Sequence, residues 1–418
     1  MHKILIKNIQ QLAQVREPGV TTIKGMEMAL LPSIFNAWLA VENECIVGYG
    51  TMDEWPGISD WSNLEVIDAS GKIVFPCYCD SHSHIVFAGT REGEFVDRIN
   101  GLTYEQIALR GGGIINSSIK MQAATEEELY KSALSRINEV IGQGTGALEI
   151  KSGYGLSLET ELKMLRVIKK LRETLPIPIR ATFLGAHAIP TVYKENREAY
   201  IELIINEMLP AIAREQLADY CDVFCERNYF TPEETLQILS AAGNYGIGAK
   251  VHAEQLSNSG GVLAGVKAGA VSVDHLEYVG DAEIEALLQS ITMPVILPGA
   301  AFFLSLPNPP AKKMIQAGLP VAIASDFNPG SSPSGNMNLM NAIACIQYGL
   351  TPEETLNAST INGAYAMGLT DNYGTVTIGK KANFIITKEV PSLAYLSYAF
   401  GSNLIDQVYI NGELFKGV

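Results

Sequence analysis

The chain has 418 residues, of which 47% are hydrophobic and 18% are charged, so it holds enough apolar material for one large domain with a smaller one beside it. Forty-five acidic against 30 basic residues give a formal net charge of −15, which disfavours nucleic acid and anionic membrane surfaces as partners. No like-charge block or low-complexity tract is present, and a globular fold is expected throughout.

The chain start and the cysteines predict a soluble, cytoplasmic protein. Residues 1–7 form a strand-like run and lack the apolar core of a secretory signal. The most apolar stretch, 293–306, contains Pro298 and Gly299 and is too short to span a bilayer. Six cysteines are sparse for this length and lack the paired spacing of a zinc ribbon, so we expect reduced, buried thiols.

The sequence pattern changes near residue 70. Residues 1–68 contain short strand-like runs broken by turn residues, with no long helical period. From residue 73 onward, short apolar runs alternate with amphipathic stretches, as in repeated βα units. The runs are 73–79, 147–150, 179–184, 222–225, 247–251, 270–273, 293–297 and 321–324, with helices predicted at 159–171, 232–242 and 282–288. Eight such units predict a (β/α)8 barrel over residues 69–373.

The last part of the chain resembles the first. Strand-like runs at 374–376, 382–387 and 407–410 lead into the turn pair Asn411-Gly412. Neither end alone would bury enough core. We therefore predict an α/β protein, a TIM barrel with a small composite β-sandwich domain formed by residues 1–68 and 374–418.

Barrel enzymes carry reacting groups where strands end and βα loops begin. Five of the six histidines fall at such ends: His82, His84, His187, His252 and His275. Taken singly, each is better explained as a hydrogen-bonded structural residue, but the five together favour a metal site. His82 and His84 are two residues apart, so both imidazoles point to the same side of an extended backbone. With His252 and Asp326 they offer three nitrogens and a carboxylate, a set that suits zinc or iron and leaves a position for water.

A metal ion at this position predicts hydrolysis, because a bound metal lowers the pKa of water towards neutrality. His275 is the preferred acceptor for the proton of that water, and Asp326 is the alternative. We expect His187 to donate to a substrate oxygen or to hold a substrate ring. A structural histidine is the alternative for that position.

Three loops offer candidates for substrate binding. Arg91, in the long loop after the first barrel strand, could clamp a carboxylate or could be a surface arginine paired with Glu92 or Glu94; the residues alone leave this open. Tyr154, between two glycines, either places a phenol at the barrel mouth or fills a turn. The loop 328–331 offers donors suited to an anion. Residues 111–113, three glycines without a phosphate-loop pattern, are predicted to form a lid hinge.

Longer motifs around these residues resemble the imidazolonepropionase family of the amidohydrolase superfamily. They are DSHSHIVFAGTREGEF at 80–95, GGGI at 111–114, EIKSGYG at 149–155, FLGAH at 183–187 and SDFNPG at 325–330. The H-x-H pair marks only the superfamily, whereas EIKSGYG and the Arg91 loop are specific to the family. The likeness covers nearly the whole chain.

The resemblance implies an activity and a set of contacts. Water would open 4-imidazolone-5-propanoate to N-formimino-L-glutamate in the third step of histidine degradation, in a homodimer with one zinc or ferric ion per subunit. Arg91 would bind the propanoate, and Tyr154 and His187 the ring or the product. The remaining substrate contacts implied are Gln255, Asn328, Gly330 and Ser331.

Two other functions remain as alternatives. One is a deaminase acting on a cytosine- or guanine-type base, which ammonia release would reveal. Position 255 carries glutamine, where related deaminases have a proton-shuttling glutamate, and this favours His275 as the base. The other is a non-catalytic barrel used for assembly, against which the intact ligand set argues.

Overall fold

The computed structural model describes residues 3–58, 60, 62–102, 106–107, 110 and 112–417. In these ranges the strands are β1 (Lys3–Ala13), β2 (Ser33–Glu42), β3 (Cys45–Thr51), β4 (Leu64–Asp68), β5 (Ile73–Pro76), β6 (Tyr78–Asp80), β7 (Thr145–Lys151), β8 (Ile179–Ala186), β9 (Tyr220–Cys225), β10 (Gly248–Ala253), β11 (Ser272–His275), β12 (Met293–Ile296), β13 (Ala322–Ile323), β14 (Phe384–Thr387), β15 (Ile405–Ile410) and β16 (Glu413–Leu414). The strand predicted over 1–7 is observed from Lys3, and its first two residues lie outside the described part, as does Gly111 of the predicted hinge.

The α-helices lie mainly between the strands of the second sheet. They are α1 (Glu92–Ile99), α2 (Gly113–Ala123), α3 (Glu126–Gly142), α4 (Leu158–Thr174), α5 (Arg197–Leu203), α6 (Leu209–Glu215), α7 (Pro232–Gly243), α8 (Gly261–Lys267), α9 (Asp281–Leu288), α10 (Pro298–Leu304), α11 (Ala311–Gln316), α12 (Met337–Tyr348), α13 (Pro352–Ser359), α14 (Ile361–Ala366) and α15 (Tyr395–Tyr398). Thr231 caps α7, and the side chain of Glu234 bonds back to it, which confirms the predicted start of that helix.

The eight parallel strands β6 to β13 form a barrel in chain order, as predicted. Its seam lies just beyond β6 and β13, where Ser83 and Phe327 form a parallel bridge. The N–H of Asp326 donates to the carbonyl of His82, and the N–H of His84 donates to the carbonyl of Phe327, each at 2.9 Å. Closure of the barrel therefore places Asp326 beside the H-x-H pair, although 242 positions separate them in sequence.

The run 73–79, predicted as one barrel strand, is in fact two strands. β5 pairs with β1 and β14 of the other sheet, whereas β6 pairs with β7 and opens the barrel. Between them the N–H of Cys77 donates to the carbonyl of Asn383 at 3.0 Å. Both strands are wholly buried. A continuous apolar run therefore gives no sign of the point where the chain passes from one sheet to the next.

Both chain ends build the second sheet, with strand order β16-β15-β14-β5-β1-β2-β3 and β4 paired to β1. Val41 of β2 and Tyr409 of β15 belong to the same buried cluster, so this single branched sheet folds over its own core. The asparagine-glycine turn at 411–412 joins β15 and β16 as predicted. The boundaries at 68/69 and 373/374 stay a prediction, and β5 lies on the barrel side of the first.

Two expectations from composition concern the membrane and the thiols. No helix in the described ranges is long and apolar enough to cross a membrane. All six cysteines are free; four are buried, as expected, and two are partly exposed.

Candidate metal centre and substrate pocket

The four predicted metal ligands meet at the carboxyl end of the barrel. Ligand atoms of His82, His84 and His252 lie within 4.8 Å of one another, and so do those of His82, His275 and Asp326. Oδ1 of Asp326 lies 3.5 Å from Nε2 of both His82 and His84. All five side chains are buried. The structure therefore assembles the set that strand-end positions predict.

Two carboxylates behind the cluster orient its imidazoles. Nδ1 of His82 lies 2.6 Å from Oδ2 of Asp274, and Nδ1 of His252 lies 3.0 Å from Oδ2 of Asp222. A carboxylate accepts, so Nδ1 of His82 carries the proton and its Nε2 carries the lone pair. This is the arrangement in which the outer nitrogen of a histidine binds a metal. Nδ1 of His252 lies close to Asp222 without forming a hydrogen bond, and Asp222 instead accepts the backbone N–H of His252 at 3.1 Å.

The residues present fit a metal ion. Nε2 of His82 and Nε2 of His252 are buried, and neither has a hydrogen-bond partner among the described residues. A buried polar atom left without a partner costs about 1–3 kcal/mol. Burial also holds the pKa of His82 and of His84 well below the usual value, so both rings are neutral, as ligation requires. Three imidazoles and a carboxylate are a ligand set of zinc or iron sites.

His275 stands at the end of β11 in an unusual conformation. It has φ +91°, and Leu276 after it has φ +75°; both lie in the left-handed region that L-residues seldom adopt. Nδ1 of His275 lies 3.8 Å from Oε1 of the buried Glu277. Burial lowers the pKa of His275, but Glu277 and Asp326 outweigh it and leave that pKa above its usual value. The ring therefore stands among the metal-ligand side chains, with a buried carboxylate behind it.

A cavity of about 590 Å³ opens above the cluster, within the size range of small-molecule sites. Among its lining residues are nearly all the predicted site residues: His84, Arg91, Tyr154, His187, His252, Gln255, His275, Asp326, Asn328, Gly330 and Ser331. The rest of the wall is largely aromatic and aliphatic, including Phe95, Phe224 and Phe303. His82 lies beneath it.

Arg91 faces this cavity and is also paired. Its guanidinium donates from Nε and Nη2 to Oε2 of Glu94, at 2.9 and 2.6 Å, and its side chain is 7% exposed. Glu94 in turn accepts from the N–H of Gly113 at 3.1 Å. Arg91 is therefore not a surface arginine, because its side chain is nearly buried and lines the cavity. The pairing with a glutamate that the alternative includes is nevertheless present. Glu94 fixes one edge of the guanidinium.

Tyr154 and His187 also line this cavity. Gly153 before the tyrosine has φ +107°, and a Cβ there would meet Nδ1 of His187 at 2.9 Å. The buried carboxylate of Glu161 accepts from the N–H groups of Gly153 and Gly155, at 3.1 and 2.7 Å. The turn therefore needs its glycines and holds the tyrosine ring 5.5 Å from the His187 ring.

The loop 328–331 supports Asp326 from the side. Oδ1 of Asn328 accepts from the N–H groups of Gly330 and Ser331, each at 2.8 Å. Oγ of Ser331 donates to Oδ2 of Asp326 at 3.0 Å. The donors predicted to receive an anion are thus bonded within the loop, and an anion would have to compete with Asn328.

Four buried carboxylates that support the site are not evident from the sequence pattern: Asp222, Asp274, Glu277 and, in α4, Glu161. For the first two a signal was present, because each is an acidic residue within a strand buried on both faces, where a charge needs a partner.

Comparison with known proteins agrees with this geometry. The family described as "Amidohydrolase family" matches residues 73–415. An imidazolonepropionase of Christiangramia forsetii is 56% identical over 98% of this chain and 99% of its own length. One of Flavobacterium johnsoniae is 57% identical over 98% and 99%. Among solved structures, an adenosine deaminase from Xanthomonas campestris with bound zinc shares the fold at a TM-score of 0.70, with 16% identity over 99% of this chain and 92% of that one.

The family match spans well over half of the chain, and the relatives align from end to end. The chain therefore belongs to the amidohydrolase family and, within it, to the imidazolonepropionases.

Proposed function

We propose that this protein hydrolyses 4-imidazolone-5-propanoate to N-formimino-L-glutamate in histidine degradation. One observation carries the proposal: a nearly buried arginine, Arg91, opens onto the same cavity as a cluster of metal-ligand side chains. The cavity thereby offers an anchor for a carboxylate beside a site for hydrolysis. Relatives named imidazolonepropionase that are 56% and 57% identical support the assignment. We further propose a cytoplasmic homodimer.

His82, His84, His252 and Asp326 would hold one zinc or ferric ion per subunit. Bound there, such an ion would lower the pKa of water and polarise the carbonyl of the ring. The supporting observations are the unpartnered Nε2 atoms of His82 and His252 and the zinc bound by a structural neighbour.

His275 would move the proton. The water oxygen bonds to the ring carbonyl carbon, the amide C–N bond breaks, and the proton taken from water is returned to the leaving nitrogen. Asp326 is the alternative acceptor, but its Oδ2 already accepts from Ser331 at 3.0 Å. This occupied oxygen favours His275.

His187 would orient the ring as an acceptor. Its Nδ1 lies 2.9 Å from the carbonyl of Gly153, which can only accept, so Nδ1 is protonated. Burial, aided by His252, lowers the pKa of His187 to about 3, so the ring is neutral and Nε2 accepts. Nε2 of His187 can therefore accept a hydrogen bond from an N–H group of the substrate ring. The donor role predicted for His187 from sequence would require a second proton, on Nε2.

The direct test is an ultraviolet assay of the purified protein on 4-imidazolone-5-propanoate, with elemental analysis of the same sample. We expect loss of substrate absorbance, appearance of N-formimino-L-glutamate and about one zinc or iron per subunit. Ammonia release from cytosine or guanine would indicate the deaminase instead. A metal-loaded sample that leaves the imidazolone intact would refute the proposal.

Replacing Arg91 with alanine should raise KM and leave kcat nearly unchanged. A charge-assisted hydrogen bond is worth about 1.5–3 kcal/mol, which corresponds to roughly a ten- to hundredfold rise in KM. Steady-state kinetics would measure it. A substrate analogue with a neutral amide in place of the propanoate is the control, since the two proteins should then have similar KM. An unchanged KM for the natural substrate would reduce Arg91 to a structural partner of Glu94.

Gly330→Ala should disturb the same contact without removing it. A Cβ at position 330 would collide with the guanidinium of Arg91, which Glu94 holds in place. We expect KM to rise, but less than in Arg91→Ala, because the long side chain can shift. Gly93→Ala is a matched control in α1, where a Cβ meets no atom within 4 Å. Equal KM in both variants would show that Arg91 does not need its observed position.

A further inference from the structure

A layer of buried charge lies in the barrel beneath the proposed metal ligands. Barrel interiors are usually filled by branched apolar side chains. Here five charged side chains with no solvent exposure occupy strands β7, β9, β10 and β11: Glu149, Lys151, Asp222, Lys250 and Asp274. The family-specific motif EIKSGYG supplies the first two, and the reaction as described above uses neither.

Lys151 connects this layer. Its ammonium lies 2.7 Å from Oε1 of Glu149 and 2.8 Å from Oδ2 of Asp222. Oδ2 of Asp274 lies 3.6 Å away. Residues 149 and 151 are two apart on one strand, so both side chains point into the barrel. One cation thus touches three carboxylates on three strands.

Two of those carboxylates are the ones that orient metal-ligand histidines. Oδ2 of Asp222, which lies 2.8 Å from Lys151, is the same atom that faces Nδ1 of His252 at 3.0 Å. Oδ2 of Asp274 is the atom 2.6 Å from Nδ1 of His82. Asp222 also accepts the backbone N–H of His252 at 3.1 Å. The ammonium and the two imidazoles therefore share two carboxylate oxygens.

We propose that Lys151 is a positioning residue that, through Asp222 and Asp274 together, fixes the orientation of His252 and His82 and so sets the metal affinity of the site. Without the ammonium, Asp222 and Asp274 would lose the cation that both contact, and nothing on that side would hold their oxygens in place. The imidazoles that these oxygens face would then be free to turn. The inference rests on the proposed metal site.

A purely structural role for the layer is the competing explanation. Burying charges costs several kcal/mol per ion before pairing, and apolar replacements of whole buried ion pairs are often neutral or stabilising. Stability alone therefore does not explain why the barrel carries this charged layer where leucine and valine are usual. The contacts of the layer with two metal-ligand histidines would explain it.

Lys250 provides a matched control. It is equally buried, and its ammonium contacts Glu149 and stands 5.0 Å from the centre of the Tyr220 ring. In the described part of the chain that ammonium forms no ion pair with Asp222 or Asp274, and it acts on Asp274 only through its charge at longer range. Lys250→Met removes the same charge from the same layer, but leaves the carboxylates behind His252 and His82 paired.

The experiment measures Zn²⁺ affinity of the full-length protein by competition with a chromophoric chelator, and thermal stability of the metal-free form. We expect Lys151→Met to lower the affinity by roughly 10- to 100-fold, the usual effect of losing an outer partner of a ligand histidine. Lys250→Met should lose stability but bind Zn²⁺ nearly as the unmodified protein does. Equal affinities in the two variants would overturn the inference. If the unmodified protein binds no Zn²⁺ or iron, the metal site itself fails.

A charge-balanced variant covers the case in which Lys151→Met does not fold. Lys151→Met with Asp222→Asn removes one positive and one negative charge, so much of the stability should return. The oriented, charged acceptor behind His252 is still missing, and Zn²⁺ affinity should remain low. Recovery of both stability and affinity would show that the layer serves folding alone.

Discussion

Replacing His252 with alanine should abolish turnover and lower the bound metal. Nε2 of His252 is buried and has no hydrogen-bond partner in the part of the chain that the structure describes, and the ring borders both His82 and the substrate cavity. Without the ion, attack depends on water whose pKa is no longer lowered towards neutrality, and we expect a loss of ~10³-fold or more. Asp326→Ala should behave alike, because Oδ1 of Asp326 faces two ligand histidines at 3.5 Å.

The measurements are turnover of 4-imidazolone-5-propanoate and metal content by elemental analysis on the same preparations. His2→Ala is the matched control, since the sixth histidine has no assigned function and the substitution is identical. It should retain both properties. If His252→Ala or Asp326→Ala keeps activity and a full complement of metal, the ligand set proposed for this protein is wrong.

Strand ends made the centre of this site predictable from sequence. Parallel barrel strands all point the same way, so residues at the carboxyl ends of β6, β10 and β13 share one face wherever they occur in the chain. His82, His84, His252 and Asp326 needed no further information to be grouped. The (β/α)8 architecture followed from the same alternation of apolar runs and helices, and the structure confirms it.

Contacts between side chains on different barrel strands cannot be predicted from a single sequence, for a physical reason. Which inward side chains touch depends on register and barrel stagger, which a single sequence does not specify. Lys151, Asp222 and Asp274 therefore appear in sequence as three isolated charges in apolar strands. The division of the run 73–79 between two sheets was hidden by the same ambiguity, because burial on both faces gives both halves the same composition.

The loop 328–331 has fewer free hydrogen-bond donors than its sequence suggests, for a different reason. The sequence offers Asn328, Gly330 and Ser331 as donors to an anion, but the side chain of Asn328 already accepts two of their N–H groups. Short polar loops commonly satisfy themselves in this way. The residues alone do not decide whether Arg91 binds substrate or pairs with a glutamate. In the structure it does not have to be one or the other, because Arg91 faces the cavity and also pairs with Glu94.

His275→Asn should lower kcat by ~10²–10⁴-fold, the usual contribution of a positioned proton acceptor, while the bound metal stays near its normal level. Asparagine is the best replacement here because His275 has φ +91°, a region in which asparagine is more frequent than alanine. The fold should therefore survive, and the loss can be assigned to chemistry. Steady-state kinetics with elemental analysis on the same sample would measure both.

The pattern across variants separates the two candidate bases. A variant at 275 that loses kcat and keeps its metal identifies His275 as the proton acceptor, because Asp326 and the three ligand histidines remain. Glu277→Gln should then show a smaller loss, since Glu277 acts only through Nδ1 of His275 at 3.8 Å. If His275→Asn turns over at nearly the normal rate, the proton must pass to Asp326, and the contact of Ser331 with its Oδ2 becomes the one that tunes the base.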